Sequence, residues 1–248
     1  YKKNRYFLFN GASPETDIIY EYNIDVMDIG SEGNYKDAED GKLEMNKVGQ
    51  GRVNSMLSLK ADIKPGETKS YYYWFCAGKN IDEVRDLNDF VIDNGVESLI
   101  FETETYWKNW TNKRVLNFGK TSENLTEIYK RSLIIMKSHI NENGSVISSV
   151  NYEHLQSYRD NYNYMWPREA AITAIALDEA GYTEISRNIF RFLNKIITKS
   201  GYFWGKYHAD GAMASVWQPW QGKDGVHLPI QEDQTAFILI ALYKHYKI

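Results

Sequence analysis

The sequence predicts a multi-domain α+β protein, with strands in its first part and helices in its second. Apolar residues recur with a period of two up to about residue 78, and from Asn80 onward they recur every three or four residues. A further feature, residues 158–181, joins a polar and aromatic segment to an apolar helix. We therefore expect a β-sandwich followed by a helical unit.

Four short runs rich in β-branched and aromatic residues predict the strands. They cover residues 6–9, 18–24, 53–59 and 70–76. Residues that favour turns separate these runs, and Asn10-Gly11 is such a pair. The polar stretch 31–46 is expected to be a long loop.

Helical spacing of apolar residues begins at Asn80. Besides the helix that starts at Pro167, we predict helices over residues 80–94, 98–110, 122–140, 183–200 and 232–246. The helix 98–110 either links the two parts or packs into the core of one of them. The irregular segment 202–231 is aromatic, and an unstructured loop of that length in a compact domain is more often functional than not.

The stretch 158–181 combines a helix with a group of side chains that helix formation does not explain. Pro167 suits the first helical position, and Gly181 suits the left-handed C-terminal cap. The unexplained group is Arg159, Asp160, Tyr162, Tyr164, Trp166, Arg168 and Glu169. Rings beside free helix N–H groups are a natural place to hold a polyhydroxylated ligand, although an ordinary aromatic loop gives the same pattern.

The connections between predicted helices alternate between short and long, which indicates helix pairs with the long loops gathered at one end. The aromatic loops before Pro167 and before Glu232 both enter helix N-termini. We therefore expect these two helix starts to lie at the same end of the helical unit.

The composition narrows the class of function. The 19 Tyr, 7 Trp and 10 Phe make up 15% of the chain, which fits sugar binding, although a large core also uses such rings. A net charge of −4 without a long basic run argues against nucleic acid. No apolar run approaches the roughly 18 residues of a membrane helix, so we expect no membrane partner.

The cysteine and metal-ligand patterns are also informative. Cys76 is the single cysteine, which rules out an internal disulfide and favours a cytoplasmic location. Because the sequence begins with Tyr1 rather than Met, a removed signal peptide and secretion stay open. No cluster of His, Cys and Asp has metal-ligand spacing, so we expect no metal and no cofactor, while a calcium loop of carbonyl ligands would leave no such trace.

Four motifs of the helical part together resemble glycoside hydrolase family 15, the glucoamylase family, in its archaeal and prokaryotic members. They are Y-M-W-P-R-E-A-A from Tyr164, Y-H-A-D-G from Tyr207, W-Q-P-W from Trp217, and L-P-I-Q-E-D-Q-T-A from Leu228. Segments of the first part, including K-P-G-E-T-K-S-Y-Y-Y-W from Lys64, resemble the same family. The resemblance implies the end of a β-supersandwich over residues 1–78, a helical linker over 79–120, and the first helices of an (α/α)6 barrel over 121–248.

The resemblance also implies a set of substrate-binding residues. The family's W-x-R-D motif holds glucose hydroxyls where the bond breaks, and its Arg and Asp correspond to Arg168 and Glu169. The full substrate-binding set is Tyr162, Trp166, Arg168, Glu169, Trp217, Trp220, His227, Gln231 and Asp233. Two positions depart from the pattern: Glu169 replaces the usual Asp, and Gln234 stands where many prokaryotic members have Glu.

The implied activity is inverting release of glucose from the non-reducing ends of α-glucans, malto-oligosaccharides or disaccharides. Its general acid and general base, both Glu in the family, are expected downstream of Ile248, so the catalytic set within this chain is empty. We therefore expect the chain alone to be inactive and the remainder of the barrel to come from further C-terminal sequence. A trehalase on the same scaffold and a non-catalytic sugar-binding or structural fragment are the alternatives.

Overall fold

The computed structural model describes residues 5–13, 21–27, 33–114, 123–150, 162–214, 221–223, 225–226 and 229–248. The chain forms two compact units, Tyr1–Glu104 and Thr105–Ile248. The first contains small antiparallel sheets with helices, and the second contains helices with one short hairpin. The predicted α+β class is confirmed, whereas the predicted domain boundaries stay predictions.

Two antiparallel strand pairs form the sheets of the first unit. Strand β1 (Tyr6–Ala12) pairs with β4 (Tyr72–Gly78), and β2 (Glu21–Val26) pairs with β3 (Val53–Ser58). Side chains on β1 and β4 alternate between two faces, as the period of two predicts. Four rings on one face are substantially exposed: Phe7, Phe9, Tyr73 and Phe75.

The described part of the first unit contains helices in addition to its strands. The short α1 (Asn34–Asp37) is followed by a 3-10 turn, Ala38–Asp40. Helix α2 (Ile81–Asn94) packs against β1 and β4, and its N-cap Asn80 accepts a hydrogen bond from the Glu83 amide. Helix α3 (Val96–Thr111) begins in this unit and crosses the boundary into the second.

Two predictions for the first unit were wrong. The pair Asn10-Gly11 lies inside β1, where Gly11 pairs with Tyr73 and has no left-handed backbone. The Asn10 side chain is held by Asn88 of α2, so a polar residue that favours turns is accommodated within a strand. Of the polar stretch 31–46, predicted as one long loop, residues 34–40 form α1 and the 3-10 turn.

The described residues of the second unit contain four complete helices: α4 (Glu123–Ser138), α5 (Pro167–Glu179), α6 (Thr183–Ile196) and α7 (Glu232–Tyr246). Strands β5 (Gln221–Gly222) and β6 (Gly225–Val226) form its hairpin. Helix α5 packs against both α6 and α7. Its contact face is made largely of alanines, and Ala170, Ala171 and Ala174 are fully buried. Small side chains let the neighbouring helices approach closely.

Helices α5 and α7 run in the same direction. At their starts, Arg168 Nη1 lies 2.7 Å from Asp233 Oδ2. Near their ends, His245 Nδ1 lies 2.9 Å from Asp178 Oδ2. The prediction that both helices start at the same end is confirmed.

Most helix limits agree with the sequence within a few residues, and α7 agrees at both ends. Gly181 follows the C-cap residue of α5 with φ of 86°, as a left-handed terminator requires. Helix α6 ends at Ile196, four residues before the predicted limit, because the backbone becomes extended at Ile197. Among the described residues, no helix is long and apolar enough to cross a bilayer.

Candidate functional site

The candidate site is formed by the first turns of α5 and α7. Pro167 opens α5, and the preceding residue, Trp166, is extended, as the residue before a proline prefers. The helix α7 opens at Glu232 after the extended Gln231. Neither helix start has a side-chain cap. The side chains of Trp166 and Gln231 therefore do not accept from the first backbone N–H groups of the helices that they precede.

Arg168 connects the two helix starts. Its Nη1 donates to Asp233 Oδ2 at 2.7 Å, and its Nη2 donates to Glu169 Oε1 at 3.2 Å. The hydrogen bond to Asp233 raises the pKa of Arg168; burial acts in the opposite direction, and Glu169 adds to the rise. The Arg168 side chain is 31% exposed, so the guanidinium is fixed by two carboxylates but still reaches solvent.

One carboxylate oxygen of Glu169 is an acceptor that no described residue uses. Its Oε1 atom is held by Arg168, whereas its Oε2 atom is buried and has no hydrogen-bond partner among the described residues. A buried carboxylate oxygen without a donor costs free energy. A ligand hydroxyl or a water molecule that donates to Oε2 would remove this cost.

An aromatic group lies just before α5. The Tyr162 and Trp166 rings are 6.1 Å apart, and Tyr164 meets Trp166 edge-on at 5.8 Å. Trp166 is buried, whereas Tyr162 is 58% exposed and offers a ring to solvent. The ammonium group of the buried Lys206 lies 3.9 Å from the centre of the Tyr164 ring.

The backbone of this aromatic group is tied to the segment after α6. Met165 and Tyr207 exchange two backbone hydrogen bonds, each 2.9 Å long. Tyr207 is itself buried, and its hydroxyl accepts from the Trp204 amide. Because Met165 is the residue before Trp166, this tie helps to hold Trp166 at the start of α5.

The structure brings together six of the nine predicted site residues at these helix starts: Tyr162, Trp166, Arg168, Glu169, Gln231 and Asp233. Trp217, Trp220 and His227 lie outside the described residues. Tyr164, which the sequence placed in the group beside the helix start, also lies here, together with Lys206 and Gln234, which were not predicted as part of the site. Of these, Gln234 had a usable signal, because it lies three residues after Gln231 at the start of a helix.

Other kinds of site have less support. In the part of the chain that the structure describes, no three His, Cys, Asp or Glu side chains are grouped closely enough to hold a metal ion. The buried Asp178 pairs with the partly buried His245, but they lie at the opposite ends of α5 and α7 from Arg168 and Asp233.

The whole chain superimposes on a known enzyme fold. A bacterial glucoamylase, solved in complex with acarbose, matches over 100% of this chain with a TM-score of 0.72 and 18% sequence identity. The fold is glucoamylase-like. The match covers 34% of that glucoamylase, so the chain spans about one third of its length.

One curated protein gives a similar result at the sequence level. An uncharacterised glycosyl hydrolase of Methanocaldococcus jannaschii is 23% identical over 220 residues, which are 86% of this chain and 33% of that protein. No protein-family model matches the chain. Together the comparisons support a glucoamylase-like fold and a similarity to a glycosyl hydrolase, each over about one third of the longer protein.

Proposed function

We propose that this chain forms the sugar-holding part of a glycoside hydrolase of the glucoamylase type, as in glycoside hydrolase family 15. The observation that supports the proposal best is the Arg168 bridge between Asp233 and Glu169 at the paired helix starts. The glucoamylase-like fold adds support, because the matched glucoamylase was solved with acarbose bound. The proposed substrates are α-glucans, malto-oligosaccharides or disaccharides.

The groups at the helix starts have the chemistry to bind a sugar. Hydroxyl groups both donate and accept hydrogen bonds. The carboxylates of Glu169 and Asp233 accept from hydroxyls, and Arg168 has five N–H donors, of which two contact these carboxylates. The exposed face of Tyr162 provides an apolar surface for the carbon side of a sugar ring.

The proposed reaction is inverting hydrolysis at the non-reducing end, which gives glucose. Such a reaction needs two carboxyl groups about 6.5–9.5 Å apart, one to protonate the leaving oxygen and one to activate water. We assign neither role to Glu169, because Arg168 holds its Oε1 and leaves that oxygen committed to a structural contact. The general acid and base are proposed to come from residues outside this chain.

The architecture proposed for the whole protein is a β-supersandwich, a linker and an (α/α)6 barrel. Exposed apolar side chains on α7 fit this proposal, since further barrel helices would cover them. They are Leu239, Ile240, Leu242 and Tyr243, which are 44–63% exposed. A cytoplasmic location remains the expectation for the protein.

The test is glucose release by the natural full-length protein from maltose, maltotriose, isomaltose and trehalose. We expect release from maltose and maltotriose, with β-glucose as the first product in proton NMR spectra because the mechanism inverts the anomeric centre. Release from trehalose but not from maltose would assign a trehalase instead. No release from any of the four would contradict the proposed function.

A further inference from the structure

Gln234, in the first turn of α7, is a fully buried polar side chain, and it is the donor in both of its side-chain hydrogen bonds to described residues. Its Nε2 donates to the Gly205 carbonyl at 3.0 Å and to the side-chain oxygen of Gln231. An amide nitrogen has two hydrogens, so both are used. Both partners are oxygen acceptors, so the nitrogen of the Gln234 amide, and not its oxygen, must face them.

The contact also determines how Gln231 is presented. The oxygen of a side-chain amide accepts hydrogen bonds and its nitrogen donates them. Because Gln234 donates to Oε1 of Gln231, the Nε2 of Gln231 is directed away from Gln234. The Gln231 side chain is exposed. Without the donor at Gln234, the Gln231 amide could turn by half a rotation and present its oxygen instead.

We propose that Gln234 is a positioning residue that fixes Gln231 as a hydrogen-bond donor toward a sugar oxygen at the start of α7. This inference rests on the proposed function and names a determinant of sugar binding within the same site. Gln234 itself is enclosed and acts through Gln231.

The surroundings make this orientation rigid. The Gly205 amide donates to the Pro229 carbonyl at 2.7 Å, which fastens the chain just before α7 to the segment after α6. The same Gly205 accepts from Gln234. Two residues farther along that segment, Tyr207 pairs with Met165 beside Trp166. One short segment therefore supports both Gln234 and the aromatic group.

The residue type at position 234 matters because the two partners are acceptors. A Glu at this position has no donor when ionised and would place a carboxylate against two carbonyl oxygens. A Met has a similar length and would remove the donor without adding a charge. Met should release the Gln231 amide, whereas an ionised Glu should repel the Gln231 oxygen and favour a turned amide whose nitrogen faces position 234.

The experiment uses the natural full-length protein with Gln234→Met and Gln234→Glu, each alone and combined with Gln231→Ala. Far-UV circular dichroism and thermal unfolding first establish which variants fold. If Gln234→Glu does not fold, Gln234→Met alone is used for the kinetic comparison. We expect Gln234→Met to raise KM for maltose by about five- to tenfold, with a smaller change in kcat, which corresponds to the loss of one hydrogen bond. In the Gln231→Ala background the same change should raise KM by less than about twofold.

A second measurement does not depend on hydrolysis. Crystal structures or side-chain amide NMR of the Gln234→Met protein should show the Gln231 amide turned or averaged between two orientations. An unchanged Gln231 amide, or an equal rise in KM in both backgrounds, would overturn the positioning role. If the wild-type protein hydrolyses none of the sugars, the proposed function fails, and the Gln231 orientation still decides whether Gln234 positions it.

Discussion

Arg168 donates a hydrogen bond of 2.7 Å to Asp233, and this contact joins the first turns of two parallel helices. The two residues are 65 positions apart in the sequence. Both carboxylates that Arg168 contacts lie in the first turn of a helix, where the helix dipole favours negative charge. The bridge therefore combines three charges at one end of the α5–α7 pair.

The first prediction removes one end of this bridge. In the natural full-length protein, Asp233→Ala should lower kcat/KM for maltose by about 10- to 100-fold, because a charge-assisted hydrogen bond that positions Arg168 is lost. Steady-state kinetics with maltose measures the change. The matched control is Glu184→Ala, which removes the exposed partner of Arg187 on α6 and should change kcat/KM by less than about twofold. Similar losses in the two variants would contradict a specific role for the bridge.

The second prediction concerns Gly144, which is buried and has φ of 90°. A Cβ atom there would lie 2.1 Å from the Asn188 carbonyl oxygen of α6. Gly144→Ala should therefore lower the free energy of unfolding by at least about 2 kcal/mol, from both the left-handed backbone and the clash. Urea-induced unfolding measures the change.

Gly201 provides the matched control for Gly144. Its φ is 83°, but a Cβ atom added there would have no neighbour within 4 Å. Gly201→Ala should cost only the backbone term of about 1–2 kcal/mol. Equal losses at Gly144 and Gly201 would mean that the close approach to Asn188 contributes nothing.

The sequence predicts local elements well and side-chain partners poorly. The limits of α7 are correct because an apolar repeat follows a clear polar start. By contrast, Ile172 on α5 is 50% exposed. Alanines take the contact face of α5, and the periodicity of a helix that is apolar on several sides does not identify which side is buried.

In the candidate site, too, the local motif could be predicted from the sequence, but the side-chain partners could not. The motif around Trp166 and Arg168 is visible in the sequence, whereas the pairing of Arg168 with Asp233 depends on how α5 and α7 pack. The spacing of Gln231 and Gln234 hinted at a contact between them, but the burial of Gln234 and its hydrogen bond to Gly205, which is distant in sequence, could not be predicted. The spacing of residues along the sequence indicates neither the Arg168–Asp233 contact nor the Gln234–Gly205 contact.

The third prediction concerns the pair at the far ends of the same helices. Asp178 is buried, and both of its oxygens lie within 3.0 Å of His245 Nδ1. His245→Ala should lower the free energy of unfolding by about 1–3 kcal/mol, because a buried carboxylate loses its partner. Asp178→Asn keeps the shape of the side chain and should lower the free energy of unfolding by less than His245→Ala does. A loss for His245→Ala no larger than that for Asp178→Asn would contradict this account.

The fourth prediction is a pH dependence that arises from Tyr207. Burial raises the pKa of Tyr207, and the nearby Tyr202 adds to the rise, although the hydrogen bond from the Trp204 amide lowers it. The unfolded phenol has a pKa of about 10, so the folded pKa lies above the unfolded value. The associated stability is fully present below about pH 10 and is lost as pH rises through the folded pKa.

Urea unfolding of the natural protein at about pH 8 and about pH 11 tests this dependence. The wild-type protein should lose more stability between the two pH values than Tyr207→Phe, which has no ionisable hydroxyl. Tyr246→Phe, at a position that is 82% exposed, should behave like the wild type. An equal loss in Tyr207→Phe and the wild type would remove Tyr207 as the cause.

The last prediction concerns Glu169, whose Oε1 contacts Arg168 and whose buried Oε2 has no partner among the described residues. If Oε2 accepts from a sugar hydroxyl, Glu169→Ala should lower kcat/KM for maltose by more than about tenfold, since a hydrogen bond to a charged group is worth about 1.5–3 kcal/mol. Glu169→Asp should preserve or raise kcat/KM, because it restores the shorter carboxylate that the resembling family uses. Glu169→Gln separates charge from shape, and it should reduce kcat/KM less than Glu169→Ala does. Steady-state kinetics of all three variants in the natural full-length protein provides the measurement, and a wild-type rate for Glu169→Ala would mean that this carboxylate does not contact the substrate.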